Sequence, residues 1–349
     1  MPGHSHVNMA DVAREAGVSV ATVSRALRGL SGVSEPTRQR IMGLADTMSY
    51  VVSPEASHLS RGSTGRVAIV VPTLDSWFFS TMLAGAQAEL QEAGLDVLVY
   101  QVDGAAARER FFEQLPARRK ADAMIAMTLP LTDAQAARLA DLGMAVVLTG
   151  ARIHDHPRVL IDDVEVALHA VRHLVALGHT RIAMVRSTDP ATETSFADMD
   201  RTTGYHRALA EAGIEPLPEH LLTVPHSLKG GVQAAEALLS MREPPTAVFA
   251  YSDELALAIV QTLRRARLRV PEDLSVVGVD GHPLAELNDL TTVEQPVAAQ
   301  GRLAGRLALD ALSGIEVRDR EQRLPTRLRV RGTTAPPRAA VDRQPAQPH

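Results

Sequence analysis

The sequence predicts a two-part architecture: a small all-α N-terminal domain, then a two-lobed α/β core of parallel sheets flanked by helices. Three observations predict it. Residues 8 to about 50 carry short helical patterns and no strand-like run. From Arg66 onward, short apolar runs alternate with longer amphipathic stretches, the alternation that builds parallel sheets. The rest of the 349-residue chain is too long for one such sheet, so two lobes are expected.

The N-terminal elements come first. Asn8 caps a helix that starts at Met9, with Asp11 in its first turn and Val12, Ala13 and Ala16 as its apolar stripe. Gly17 stops it. Ser19 caps a second helix, with Val23, Ala26 and Leu27 facing inward. Ser34 caps a third, with Pro36 in the permissive first turn and Ile41, Leu44, Ala45 and Met48 on its inner face. Two helices joined by a tight glycine-containing turn form a helix-turn-helix, a geometry found in DNA readers and also in small bundles that bind no DNA. Residues 1–62 hold six Arg and five acids, a net charge of +1. Nonspecific attraction to DNA is therefore modest, and two copies are needed for useful affinity.

Residues 51–65 are small and polar and are broken by Pro54, Gly62 and Gly65, which reads as a linker. The core follows. Val67–Val71, Val97–Tyr100, Ala123–Met127, Ala145–Leu148, Ile182–Val185, Ala247–Tyr251 and Val276–Val279 are short, continuous and rich in Val and Ile, as buried parallel strands are. The helices between them close at Gly94, Gly143, Gly178 and Gly213, where glycine permits the left-handed conformation that ends a helix. The expected domains are 8–52 (head), 53–65 (linker), 66–333 (core) and a disordered, Pro-rich tail at 334–349. Within the core, one lobe takes about 66–160 plus 293–325, and the other about 161–292 plus 326–333.

Composition narrows the function. Hydrophobic residues make up 45% and charged residues 22%, a globular balance. The net charge of −5 excludes a uniformly basic coat but not a local reading head. The absence of cysteine removes thiolate catalysis and Cys-based metal sites. No apolar run approaches the roughly 20 residues of a membrane span. Met1–His6 shows no signal-peptide pattern, so a cytoplasmic protein with no membrane partner is expected.

Several stretches then carry a resemblance. Met9-Ala-Asp-Val-Ala-Arg-Glu-Ala-Gly-Val-Ser-Val-Ala-Thr-Val-Ser-Arg-Ala-Leu27, Val33-Ser-Glu-Pro-Thr-Arg38, Tyr50 and Ala56-Ser-His-Leu59 resemble the LacI/GalR family of transcriptional regulators. So do Leu174–Ala183, Pro245–Asp253, Val270–Asp280 and Leu290–Pro296, in the family's order and spacing over about residues 8–333. The resemblance implies a dimer on a palindromic double-stranded DNA operator and a core like that of periplasmic binding proteins. A small-molecule effector, a sugar or sugar derivative, would sit between the lobes. No cofactor and no metal are expected, because the sequence lacks cysteine, a metal-binding motif and a phosphate-binding loop.

By that resemblance the helix from Ser19 enters the major groove. Val20, Ala21 and Arg25 match base-reading positions: Arg suits guanine O6 and N7, and Val or Ala suits a thymine methyl. Thr22, Ser24, Arg28 and the backbone near Asn8 would meet phosphates. Val20 and Ala21 also read as plain exposed helix formers, and Arg25 as a phosphate contact. Ala56, His58 and Leu59 match a hinge that places a Leu wedge in the minor groove. Val52, Glu55 and Ser57 depart from the usual hinge pattern.

For the effector, Asp75, Trp77, Phe78 and Phe79 follow the first strand, and aromatic faces there either stack on a ligand or pack on the next helix. Arg201 matches the family's effector-gripping arginine and Asp280 a hydroxyl-binding acid. An internal pair of Arg201 with Asp280 or Asp253 is the alternative, and Asp253 also reads as a helix cap. Thr149 stands where many members carry Asp, and His226 where an aromatic is common. His169 and His173 have a metal-like spacing but no accompanying acid motif, so a solvated helix face is the simpler reading. Two rival functions remain: a sugar-binding module that reads no DNA, and a nucleotide-cofactor enzyme, whose phosphate-binding glycine loop is missing.

Overall fold

The computed structural model describes residues 7–27, 29–50, 63–114, 120–129, 132, 134–135, 138, 144–151, 156–187, 195–317 and 319–338. It divides into two compact units, 1–65 and 66–349.

The first unit holds α1 (Met9–Ala16), α2 (Val20–Leu27) and α3 (Glu35–Thr47). Asn8 caps α1 with a full capping box: Asn8 Oδ1 accepts from Ala10 N at 2.8 Å and from Asp11 N at 3.1 Å, while Asn8 N donates to Asp11. Gly17 ends α1 at φ +64°, the left-handed turn the sequence requires. Ser19 Oγ accepts from Thr22 N at 3.1 Å and so caps α2. Ser34 sits at the start of α3 but spends its hydroxyl on Thr37 at 2.8 Å instead of a backbone amide. Val12, Ala13, Ala16, Val23, Ala26, Ile41 and Ala45 form the buried core of this unit.

The second unit contains two six-stranded sheets. One is β1 (Arg66–Val71), β2 (Asp96–Gln101), β3 (Ala123–Met127), β4 (Ala145–Thr149), β5 (Arg158–Leu160) and β11 (Glu321–Arg323), in the spatial order β11-β5-β4-β3-β1-β2. The other is β6 (Ile182–Ser187), β7 (Leu221–Val224), β8 (Ala247–Ala250), β9 (Ser275–Asp280), β10 (Thr291–Glu294) and β12 (Arg327–Arg329), in the order β12-β10-β9-β8-β6-β7. All pairings are parallel except β10 with β12. Each lobe repeats the doubly wound 2-1-3-4-5 order, which reverses beside β1 in one sheet and beside β6 in the other. Ligands bind off the carboxyl ends of strands at such reversals.

Helices flank both sheets: α4 (Trp77–Glu92), α5 (Gly104–Gln114) and α11 (Val297–Leu312) in the first lobe, and α6 (Asp163–Ala176), α7 (Phe196–Glu211), α8 (Leu228–Ser240), α9 (Asp253–Arg265) and the short α10 (Pro283–Leu287) in the second. α4 and α11 lie backbone to backbone. A Cβ at Gly85 would collide with Ala298 O, and one at Gly301 with Met82 O.

Six of the seven apolar runs fall wholly within strands, and the seventh, Ala247–Tyr251, overruns β8 by the one residue Tyr251. β5, β7, β10, β11 and β12 were not foreseen; each is only three or four residues long, too short for a period to register. Two boundaries need correction. β10 runs through Glu294 and pairs with β9, so the crossing into the first lobe follows residue 294 instead of falling at about 293. The expected disordered tail is docked as far as Arg338. Ala335 O accepts from Ser275 Oγ at 3.1 Å and bonds His179 Nε2 at 2.9 Å, His173 Nε2 bonds Thr334 Oγ1 at 2.9 Å, and Arg338 pairs with Asp273 at 2.7 Å. Val276 N donates to Thr333 O at 2.8 Å, so the start of β9 holds this segment by its backbone as well. Residues 339–349 lie outside the described residues.

Candidate nucleic-acid interface and effector cleft

On the head, α2 buries Val23 and Ala26 and turns Val20 (47% exposed), Ala21 and Arg25 outward. The arginines of the head divide sharply. Arg38 donates to Ala26 O at 3.0 Å and Leu30 O at 2.8 Å, so it closes the end of α2. Arg40 donates to Ala16 O at 2.9 Å at the end of α1, and Arg14 pairs with Asp11. Arg25 is exposed and holds no partner of this kind among the described residues. Asn8, Ser19 and Thr22 are engaged in helix capping, and Ser24 is half-buried. Arg28, Ala56, His58 and Leu59 lie outside the described residues.

In the core, the second lobe gathers an ionisable cluster at its strand ends. Arg201, on α7, is buried; its Nε donates to Asp163 Oδ1 at 2.8 Å, its Nη1 donates to Tyr251 O, and its guanidinium lies 4.5 Å from the centre of the Tyr251 ring. Its partner is thus Asp163, and not the Asp280 or Asp253 of the alternative reading. Burial works against the guanidinium charge, but Asp163, with Tyr251 and Asp280 nearby, more than offsets it, and the pKa rises.

Asp253 opens α9, but Ser252 is the cap, accepting from Leu255 N at 3.3 Å. Asp253 Oδ2 accepts from His282 N at 2.8 Å, and both Oδ1 and the Thr292 hydroxyl are buried. The carboxyl fits only because residue 278 is glycine: a Cβ there would collide with Asp253 Oδ1. Burial pushes its pKa up to about 7. Asp280 ends β9 at φ +120°, a backbone state that a side chain tolerates only when its surroundings enforce it. Its Oδ1 accepts from Gln295 Nε2 at 2.7 Å, and Gln300 Nε2 in turn donates to Gln295 Oε1 at 2.8 Å. Burial raises the Asp280 pKa well above the carboxylate range, Arg201 opposes the rise, and Asp253 adds to it.

His226 Nε2 lies 3.1 Å from Ser252 Oγ and 3.9 Å from Glu254 Oε2, and its ring meets Tyr251 edge-on at 5.6 Å. Burial lowers its pKa against the pull of Glu254. From the first lobe comes Trp77, its ring 4.8 Å from that of His282. The two lobes also border a cavity of about 270 Å³ lined by Gly150, Ile161, Asp163, Phe196, Asp200 and Arg323, among others.

Of the nine expected effector residues, five converge: Trp77, Arg201, His226, Asp253 and Asp280. Phe79 is instead part of the first lobe's buried core, 8% exposed, with Phe78 edge-on to it at 5.2 Å. Thr149 is fully buried, its hydroxyl 3.3 Å from Met82 Sδ under α4, so it faces the helix and not the cleft. Asp75 lies exposed in the loop before α4, its amide bonded to Thr73 Oγ1 at 3.2 Å. Asp163, Tyr251, Glu254, His282 and Gln295 were missed. Asp163 and Glu254 each adjoin a second acid, and Gln295 lies inside a stretch that carried the resemblance; these were the available signals.

Comparison with known proteins agrees with this geometry. Residues 8–53 match the family described as bacterial regulatory proteins, lacI family, and residues 171–334 match the periplasmic binding protein-like domain. The HTH-type transcriptional regulator DegA of Bacillus subtilis is 32% identical over 334 residues, covering 93% of this chain and 97% of DegA. The lac repressor dimer bound to operator and the anti-inducer ONPF superposes with a TM-score of 0.83 at 26% identity, covering 94% of this chain and 99% of that one. The transcriptional regulator CelR in complex with cellobiose superposes with a TM-score of 0.69 at 29% identity, with coverage of 94% and 99%. The chain belongs to the LacI family of DNA-binding transcriptional regulators.

Proposed function

We propose that this chain is a repressor that binds a palindromic operator as a homodimer and releases or tightens its grip when a small, uncharged polyhydroxyl compound enters the cleft between its lobes. The observation that carries the DNA half is the outward face of α2. Val20, Ala21 and Arg25 project from a helix whose opposite face is locked into the head's core, and Arg25 is exposed while Arg38 and Arg40 are committed to helix ends. That arrangement suits direct readout by Arg25 and methyl packing by Val20 and Ala21. Leu59, outside the described residues, enters as the minor-groove wedge that the family resemblance implies.

The effector's charge follows from the cleft. The buried carboxyls of Asp253 and Asp280 supply acceptors, while the guanidinium of Arg201 is already committed to Asp163 and Tyr251 O. A phosphate or carboxylate would find no available arginine at that spot. Vicinal hydroxyls donate to carboxyls and lose little on entering. CelR, seen with cellobiose, is a relative whose ligand has this chemistry.

Selection of genomic fragments by the purified protein at two salt concentrations tests the DNA half. A short palindrome with half-sites about one helical turn apart is expected, and Arg25→Ala should weaken it by about 1–3 kcal/mol. Recovery of no palindrome, with or without candidate sugars, rejects the repressor reading. Thermal-shift screening of matched pairs tests the effector half: neutral sugars should stabilise the core and their phosphorylated counterparts should not.

A further inference from the structure

The helices of the second lobe cap themselves. Asp162 accepts from Glu165 N at 3.1 Å on α6, Ser195 from Asp198 N at 3.2 Å on α7, Ser227 from Gly230 N at 3.1 Å on α8, and Ser252 from Leu255 N at 3.3 Å on α9. α4 is different. Ser76 holds the capping position and is buried, yet its side chain accepts nothing from the helix, and the first turn Trp77-Phe78-Phe79-Ser80 contains no acid. Its free amides and positive dipole end face the other lobe. What completes them is Glu254, from the first turn of α9. Its Oε1 accepts from Trp77 N at 3.0 Å and from Ser76 Oγ at 3.4 Å. The same junction carries the Trp77–His282 ring contact, and His226 flanks the second oxygen of Glu254.

We infer that Glu254 is a latch between the lobes: it caps α4 from the opposite lobe, so the start of α4 is satisfied only while the cleft is closed. This rests on the effector reading above and assigns the regulation of that same site. Opening the cleft strips α4 of its cap and uncovers Trp77. A ligand that closes the cleft gains the capping bond as part of its binding free energy. α4 lies backbone to backbone on α11, the helix that follows the crossing from β10, so a change at the start of α4 is borne by the pair that joins the lobes. Glu254 is a positioning residue here, since it acts through α4 and Trp77.

Trp77 is the chain's one tryptophan, so its fluorescence reports the latch directly and needs no effector. The experiment compares emission and acrylamide quenching of the full-length wild type, Glu254→Gln and Glu254→Ala, with X-ray scattering for the core's dimensions. Loss of a cap should lower the closed-to-open ratio about tenfold. Emission should shift to the red, quenching should rise and the scattering radius should grow, more for Ala than for Gln. Unchanged emission and quenching in a folded Glu254→Ala protein overturns the latch. Adding Ser76→Asp to Glu254→Ala supplies α4 with a cap of its own. Recovered thermal stability with Trp77 still exposed supports a cap acting across the cleft. Recovery of both means the exposure was fraying of α4 alone, and the latch falls. Operator selection is independent of these readings, so failure of the repressor proposal and failure of the latch give different results.

Discussion

The two lobes share one strand order and divide the work unequally. At the strand ends of the second lobe stand Arg201, Tyr251, Asp253 and Asp280, a charged cluster held by its own cross-bonds. At the corresponding ends of the first lobe, Phe79 and Thr149 turn into the core, while Ser76 and Trp77 reach across to Glu254 and His282. Repeating a topology thus repeats the place where a ligand can bind, while the residues at that place decide which copy does the binding. The second lobe carries the charged cluster, and the first meets it with Ser76 and Trp77.

The strongest way to break this asymmetry is Arg201→Ala. The substitution leaves Asp163 without its partner and removes the cation stacked on Tyr251. Breaking a buried pair from one side costs about 3–5 kcal/mol. Denaturant unfolding of the core should show that loss, and sugars should no longer stabilise it. A loss below about 1 kcal/mol would mean that the Asp163 bond contributes little to joining α6 and α7.

The next effect depends on pH. Asp253 has its pKa raised in the folded state, so the folded protein binds a proton that the unfolded chain releases. Its stability contribution is fully present below the unfolded value near 4 and is lost as pH rises through about 7, a change of roughly 2–4 kcal/mol. Asp280 shifts in the same direction. Carboxylates lowered by arginine partners, such as Glu211 and Glu321, slope the opposite way at lower pH. The difference between the wild-type and Asp253→Asn stability profiles isolates the one residue. Parallel profiles between pH 4 and 7 would show that Asp253 is ionised and compensated in the fold.

What the sequence made legible follows the range of the interactions. Helix caps at Asn8 and Ser19, the Gly17 turn and the strand cores depend on neighbours a few residues away, and they were read correctly. Arg201, Asp253 and Asp280 were placed in the cleft through the resemblance. Their partners were not, because Arg201 meets residues 38 and 50 positions away and Trp77 N meets Glu254 at a separation of 177. No local pattern carries such pairings. The three consecutive aromatics misled for a geometric reason. Successive helical residues turn by about 100°, so if Trp77 faces the cleft, Phe79 points about 200° away, toward the sheet. The docked tail was missed because proline-rich composition argues for disorder, while the His173 and His179 rings that receive it lie some 160 residues upstream.

The smallest expected effect tests the comparison most cleanly. Thr149 stands at a strand end in the first lobe, at the position where the resemblance leads one to expect Asp, yet its hydroxyl is spent on the Met82 sulfur. Sulfur is a weak acceptor, and replacing both members of such a contact by apolar groups of the same shape is close to neutral. Thr149→Val keeps the branched shape and removes only the oxygen. Stability should change by less than about 1 kcal/mol, and the response to whichever neutral sugar stabilises the wild type should persist. A lost sugar response with intact stability would place Thr149 in the binding machinery. The first lobe would then read the ligand as well as close on it, and the division of labour between the lobes would have to be redrawn from the carboxyl end of β4 outward.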